Sequence, residues 1–332
     1  MSATTAPMLS PAAQKTAARL GLKLGRANLE AFADALLALA KTNRNVLAVT
    51  SDSRGSGKLG PFGVALPEQI IEVGIAEQNL VGVAAGLASA GKTVFAVSPA
   101  CFLTARALEQ IKNDVAYSDN PVKLVGISAG VSYGALGTTH HSLHDLAALR
   151  AINNLELIIP ADNFETREAI RAVASRARPA YLRFGKAPLY DLHGPETRFE
   201  IGKAIALRDG RDVAFIATGE TVVDALLAAA ELEQHGITSR VLSMHTLKPL
   251  DADAVRRAGQ ECRAVVTVEE HMVNGGLGEA CAAVLLEAGL APRFKRIGIP
   301  DEYTVTGSQA EIFRHYTISM EGLAETARQL LS

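Results

Sequence analysis

Glu77 is an ionisable residue in an apolar setting. It sits in Ile71-Glu72-Val73-Gly74-Ile75-Ala76-Glu77-Gln78-Asn79-Leu80, where an extended segment turns into a small-residue helix, Val81 to Ala90. Desolvation there favours the neutral carboxyl, and such a carboxyl can share a proton with a bound base. A glutamate in a first helical turn also complements the helix dipole, worth about 0.3–1 kcal/mol, so both readings stand. A second candidate is the histidine pair His140-His141, at the end of a glycine-bearing loop that starts at Ser128. Imidazoles titrate near neutral pH, and long loops in compact domains usually carry function. A third is the glycine-rich loop 51–60, whose Arg54, Ser56 and Lys58 could line a phosphate. Arg183, at a strand end, could add a phosphate contact or simply be solvated.

The same loop excludes a tempting alternative. Gly55-x-Gly57-x-x-Gly60 has dinucleotide-binding spacing and follows a strand. That fingerprint needs a helix opening at the loop. Pro61 and Pro67 argue against a helix there. Leu59, where Ser or Thr would follow the lysine, excludes a P-loop.

These residues need a scaffold. Asn28 to Ala40 reads as an amphipathic helix through Leu29, Phe32, Leu36 and Leu39. Short apolar strands follow at 46–50, 93–97, 122–127, 155–160 and 180–184, with helices at 102–116, 144–149 and 164–174 between them. The second half alternates again, with strands at 213–217, 239–243, 264–268 and 294–299 and a terminal helix from Met320 to Leu331. Such alternation predicts an α/β protein of two three-layer α/β/α domains with mostly parallel sheets. The predicted organisation is a flexible tail at 1–21, a first domain at 22–189, a linker at 190–200 and a second domain at 201–332.

Bulk properties agree. The chain has 332 residues, enough for two domains of ~150 residues. It is 48% hydrophobic with a net charge of −2, so nothing in it draws nucleic acid or a membrane surface. Its three scattered cysteines lack zinc-ligand spacing and fit reduced thiols in a cytoplasmic protein. No stretch reaches ~18 uninterrupted apolar residues, and the N-terminus does not read as a signal peptide.

Several motifs in register resemble one family. Val73-Gly74-Ile75-Ala76-Glu77-Gln78-Asn79, Arg106-Ala107-Leu108-Glu109-Gln110, Gly137-Thr138-Thr139-His140 and Pro160-Ala161-Asp162 are similar to the pyrimidine-binding domain of thiamine diphosphate enzymes, transketolases above all. His245-Thr246-Leu247-Lys248-Pro249 and Val268-Glu269-Glu270-His271 resemble the transketolase C-terminal domain. The domain that holds the cofactor's diphosphate through a metal, marked by Gly-Asp-Gly, has no counterpart here. The resemblance therefore implies the C-terminal subunit of a split transketolase. Thiamine diphosphate and Mg²⁺ would be its cofactors, with no metal ligand on this chain. Its partner would be an N-terminal transketolase subunit with the Gly-Asp-Gly motif, in a heterotetramer of two of each chain. The reaction implied is two-carbon ketol transfer between a ketose phosphate and an aldose.

By resemblance, Glu77 bonds N1′ of the cofactor's aminopyrimidine, a task suited to a proton-sharing carboxyl. Gln78 and Asp52 lie near the cofactor, and Phe102 walls its ring. Pro99 replaces a second aromatic wall. Arg26, Ser56 and Arg183 fall near sugar-phosphate positions, and His140 acts as acid or base on a substrate hydroxyl. Leu136 stands where the family carries an Asp for a sugar hydroxyl, Ser128 where it carries a His, and His141 in place of Gln. An unpaired buried hydroxyl costs about 1–3 kcal/mol, so Leu136 implies a substrate unlike that of the housekeeping enzyme. Alternatives are the β subunit of a 2-oxo acid dehydrogenase E1 component, or a non-catalytic assembly subunit.

Overall fold

The computed structural model describes residues 8–332. Its first sheet has seven strands in the order Thr246–Lys248, Glu156–Ile158, Ala180–Phe184, Lys123–Ile127, Thr93–Pro99, Val46–Thr50 and Ile70–Glu72. Every pair in it is parallel except the one made by Thr246–Lys248. The inner strands are buried on both faces, which is why they read as mainly apolar runs, with Lys123 and Arg183 as buried charged exceptions. The second sheet has five strands, Arg293–Ile299, Ala264–Met272, Val213–Ala217, Ser239–Ser243 and Ile205–Arg208, with only the last antiparallel. A short ribbon pairs Leu24–Ala27 with Pro188–Tyr190.

Helix Asn28–Thr42 covers one face of the first sheet through Leu29, Phe32 and Leu36, each buried, and Phe32 stacks on Phe184 at 5.3 Å. Burying each such side chain is worth roughly 1.5–3 kcal/mol. The other face packs helix Glu77–Ser89 through Leu80, Val81 and Ala84. That same apolar cluster continues into the second half through Ile216, Leu242 and Val255. The two halves thus share one core.

Several expectations are corrected. Of the tail expected at 1–21, residues 1–7 lie outside the described residues. Pro11–Arg19 is a helix capped by Ser10, with Ala13 and Ala17 buried against Leu227. Pro at the first helical position fits its start. The same rule explains Gly60–Ala65, a short helix that tolerates Pro61 in its first turn, where Pro61 and Pro67 argued against any helix. The single helix expected from Phe102 to Ala116 is three pieces, Ala100–Arg106, Leu108–Gln110 and a wide-turned segment Ile111–Tyr117. Finally, Thr246–Lys248 belongs by sequence to the second half and by pairing to the first sheet.

The segment expected as a linker is anchored by His193. Its Nδ1 lies 2.8 Å from Asp162 Oδ2 and its Nε2 3.2 Å from Glu165 Oε1, all three side chains being buried. Asp162 also caps helix Asn163–Ala174 through Glu165 N. Ser243 of the second half donates to the same Glu165 Oε1 at 2.6 Å. Burial alone would lower the His193 pKa, but bonds to Asp162 and Glu165 carry it from 6.5 up to about 9. A raised histidine pKa stabilises fully below the unfolded value and loses that contribution as pH rises through the folded one. The stability difference between wild type and His193→Asn, followed by urea midpoints, should therefore be largest below pH 6.5 and shrink as pH approaches about 9. A difference that grows across that window would contradict the ion-pair reading.

Candidate active site

Parallel strands place their carboxyl ends along one edge, where open α/β sheets present ligand-binding loops. Four such ends meet here. Val46–Thr50 leads into loop 51–59, Thr93–Pro99 into helix Ala100–Arg106, Lys123–Ile127 into loop 128–142, and Ala180–Phe184 into Gly185-Lys186. Edge strand Ile70–Glu72 leads through Gly74, at φ +75°, to Glu77 at the start of its helix.

Glu77 is 4% exposed, and its setting is not desolvation alone. Arg106 Nη1 lies 3.1 and 3.0 Å from its two oxygens and donates to both. That guanidinium is half exposed and stacks over the Phe102 ring at 4.5 Å. Phe102 meets the His140 ring edge-on at 5.5 Å, and His140 meets Tyr133 edge-on at 5.4 Å. Lys186 Nζ lies 3.8 Å from the Tyr133 ring centroid. A continuous wall thus runs from a carboxylate, through a cation and three rings, to an ammonium. The carboxylate has about four lone-pair sites, and Arg106 takes two. It can still receive a ring nitrogen, with the Phe102 face beside it for a flat heterocycle.

The histidine pair divides. His140 is part of the wall, with its ring Nδ1 3.0 Å from Thr139 Oγ1. His141 turns inward and is buried, with Nε2 3.0 Å from the Gly134 carbonyl oxygen and Nδ1 2.7 Å from Thr304 Oγ1. Burial lowers its pKa. Leu136 is 56% exposed on a short turn, Gly134–Leu136. Ser128 is buried at φ +53°.

The remaining predicted residues lie at different distances from this wall. Asp52 is exposed at φ +50°, held by its N–H donating to Glu72 Oε1 at 2.6 Å. Gln78 is exposed beside Glu77, and Ser56 is exposed with its hydroxyl donating to Ser53 O at 3.1 Å. Arg26 is paired to Glu30 at 3.3 Å and to Asp34, and Lys58 approaches the same Glu30 at 3.7 Å. The Lys186 pKa is lowered, first by burial and then by the Lys58 charge.

Arg183 is corrected. It is 5% exposed and faces inward. Nε donates to Asp145 Oδ2 at 2.9 Å, Nη2 to the carbonyls of Ser142 and Glu270, and Nη1 lies 3.5 Å from Glu270 Oε2. Buried and bonded through Nε and Nη2, with Nη1 turned to Glu270, the guanidinium faces the interior and not a substrate phosphate. Lys186, three residues on, occupies the place at the wall that Arg183 was expected to fill. Sequence reasoning missed it, although its position at the end of strand Ala180–Phe184 was the available signal. It also gave Arg106 no site role, because only the fold brings that side chain to Glu77, 29 positions away.

Comparison with known proteins shows the family. Residues 25–190 match the model of the transketolase pyrimidine-binding domain, and residues 202–323 that of the transketolase C-terminal domain. The chain belongs to the transketolase family. Among its relatives is a subunit of the apulose-4-phosphate transketolase of Phocaeicola vulgatus, 46% identical over 303 residues, covering 91% of this chain and 96% of that one. Another is a 6-deoxy-6-sulfo-D-fructose transketolase subunit from a Clostridium species, 34% identical over 90% or more of both chains. A solved split-gene transketolase, described as an inactive beta4 tetramer, superposes with a TM-score of 0.83 at 35% identity, covering 92% of this chain and 98% of that one. This transketolase chain is thus the subunit type that carries the pyrimidine-binding and C-terminal domains. It is a transferase subunit of a split enzyme, in a family dependent on thiamine diphosphate, and works with a partner subunit. The E1 β-subunit reading is the less supported one.

Proposed function

We propose that this chain supplies the pyrimidine-binding half of a transketolase active site, with a donor in the class of branched ketose phosphates such as apulose 4-phosphate. The observation that carries the reading is the wall from Glu77 through Arg106 and Phe102 to His140. Glu77 holds N1′ of the aminopyrimidine, and Arg106 keeps that carboxylate oriented. Phe102, with the Arg106 guanidinium over its own ring, would wall the cofactor's ring. Asp52 and Gln78 flank it. Bound thiamine diphosphate supplies the electron sink for breaking and making the carbon–carbon bond. The partner subunit, through Gly-Asp-Gly and Mg²⁺, holds the diphosphate, in an assembly of two of each chain in the cytoplasm.

On the substrate side, His140 moves a proton at a sugar hydroxyl. Its ring packs edge-on against two aromatic rings, and its Nε2 carries no bond among the described residues, which leaves that atom for substrate. Lys186 and Lys58, with Arg26 and Ser56 nearby, attract the phosphate. Lysine binds it as a point charge. Leu136, exposed on its turn, lines the sugar and replaces a hydroxyl partner by an apolar surface, whereas Ser128, expected beside it, is buried. The names of the relatives support a substrate outside the common pentose phosphates.

The test is a substrate profile of the enzyme assembled with its partner. Apulose 4-phosphate should be turned over with a higher kcat/KM than xylulose 5-phosphate or fructose 6-phosphate. Equal efficiency with all three would overturn the substrate assignment.

A further inference from the structure

The loop that carries His140 is held from the other domain. Thr304, Gln309 and Glu270 all belong to the second half, and all bond the loop or brace a group that does. Val131 N donates to Glu270 Oε1 at 2.9 Å. Gln309 Nε2 donates to that same oxygen and to Glu220 Oε2, each at 2.8 Å, so one amide bridges two buried carboxyls. At the far end of the loop, Thr304 Oγ1 lies 2.7 Å from His141 Nδ1 and 3.3 Å from Thr138 Oγ1. Between these ties, a Cβ at Gly134 would come within 2.8 Å of the Gly307 carbonyl oxygen, and Gly134 has φ +49°.

Donor and acceptor roles follow from the partners. The Gly134 carbonyl can only accept, so His141 Nε2 carries a hydrogen and donates to it. Burial keeps His141 neutral at ordinary pH, so Nδ1 is an acceptor. The Thr304 hydroxyl must then donate to Nδ1, and Thr138 donates to the Thr304 oxygen. This directed chain of three bonds ends on the turn that presents Leu136.

We infer that Thr304 is a positioning residue for substrate, and that the C-terminal domain sets the geometry of the substrate loop without touching substrate itself. The inference rests on the proposed role of His140 in the loop it positions. Glu77 and Phe102 lie on other elements, Glu77–Ser89 and Ala100–Arg106, and none of the three bonds in this chain ends on either of them; the ring contact of His140 with Phe102 is where the loop meets the cofactor seat.

Thr304→Val removes both bonds at nearly constant volume. In the enzyme assembled with its partner, kcat/KM for the ketose phosphate should fall about 10-fold or more, the scale on which small misplacements of a reacting group act. Thiamine diphosphate affinity should stay unchanged, and Thr304→Ser should restore activity. In the isolated chain, amide hydrogen exchange over residues 130–142 should speed up in Thr304→Val and return in Thr304→Ser. Should Thr304→Val fail to fold, Thr138→Val removes the outer bond and reads the same exchange. Unchanged exchange and unchanged kinetics, or a serine variant no better than valine, would overturn the inference. Absence of ketol transfer by the wild-type assembly would overturn the proposed function instead, and the exchange measurement would still judge the loop.

Discussion

Ketol transfer by the assembled enzyme should fall about 100- to 10,000-fold when Glu77 becomes glutamine, the range over which a positioned proton-transfer group contributes. The amide keeps the shape of the side chain but cannot take up a proton shared with a ring nitrogen. The chain itself should fold normally. Glu77 pairs with a half-exposed Arg106, and ion pairs with a solvent-exposed partner contribute little to stability. Steady-state kinetics with saturating cofactor, beside a melting curve, separates the two effects. Activity within about tenfold of wild type would remove Glu77 from the chemistry and would favour the non-catalytic assembly reading.

The second large effect is on stability, and it follows from the correction at Arg183. Arg183→Met should lower the unfolding free energy by about 3–5 kcal/mol, the cost of breaking a buried ion pair from one side. Asp145 is fully buried, and its pKa is lowered by the Arg183 charge in spite of burial. Without that charge, Asp145 must be protonated or left unpaired. Glu270, also buried, loses the same partner. Because Arg183 bonds Ser142 and Asp145 of the first domain and Glu270 of the second, the loss should also loosen the domain contact. Urea unfolding measures it. A change below about 1 kcal/mol, the scale of a surface pair, would mean that Arg183 is solvated.

The contrast between Glu77 and Arg183 shows what can be read before the fold is known. Glu77 announces itself locally, since a carboxylate among Val, Ile, Gly and Ala at a strand-to-helix junction is unusual within one window. The parallel strands were equally legible, because burial on both faces leaves mainly apolar runs at 46–50, 124–127 and 213–217. Arg183 has no such local mark. Its partners Asp145 and Glu270 lie 38 and 87 positions away and reach it only through sheet and domain packing. His141 and Thr304, 163 positions apart, are hidden in the same way. Thr246–Lys248 misleads for a topological reason, since its apolar pattern cannot reveal which sheet it joins. The errors at Pro11–Arg19 and Gly60–Ala65 have another origin. In both, a proline was weighed as a helix breaker, or passed over, where it opens a helix.

Because the proposed site is half of one, reconstitution tests it most directly. The purified chain, given thiamine diphosphate, Mg²⁺ and a ketose phosphate with an aldose acceptor, should transfer no ketol unit. Adding the partner chain that carries Gly-Asp-Gly should switch transfer on, with activity rising to a plateau at one partner per chain. Transfer by the chain alone, or no transfer at any ratio of the two chains, would contradict the account.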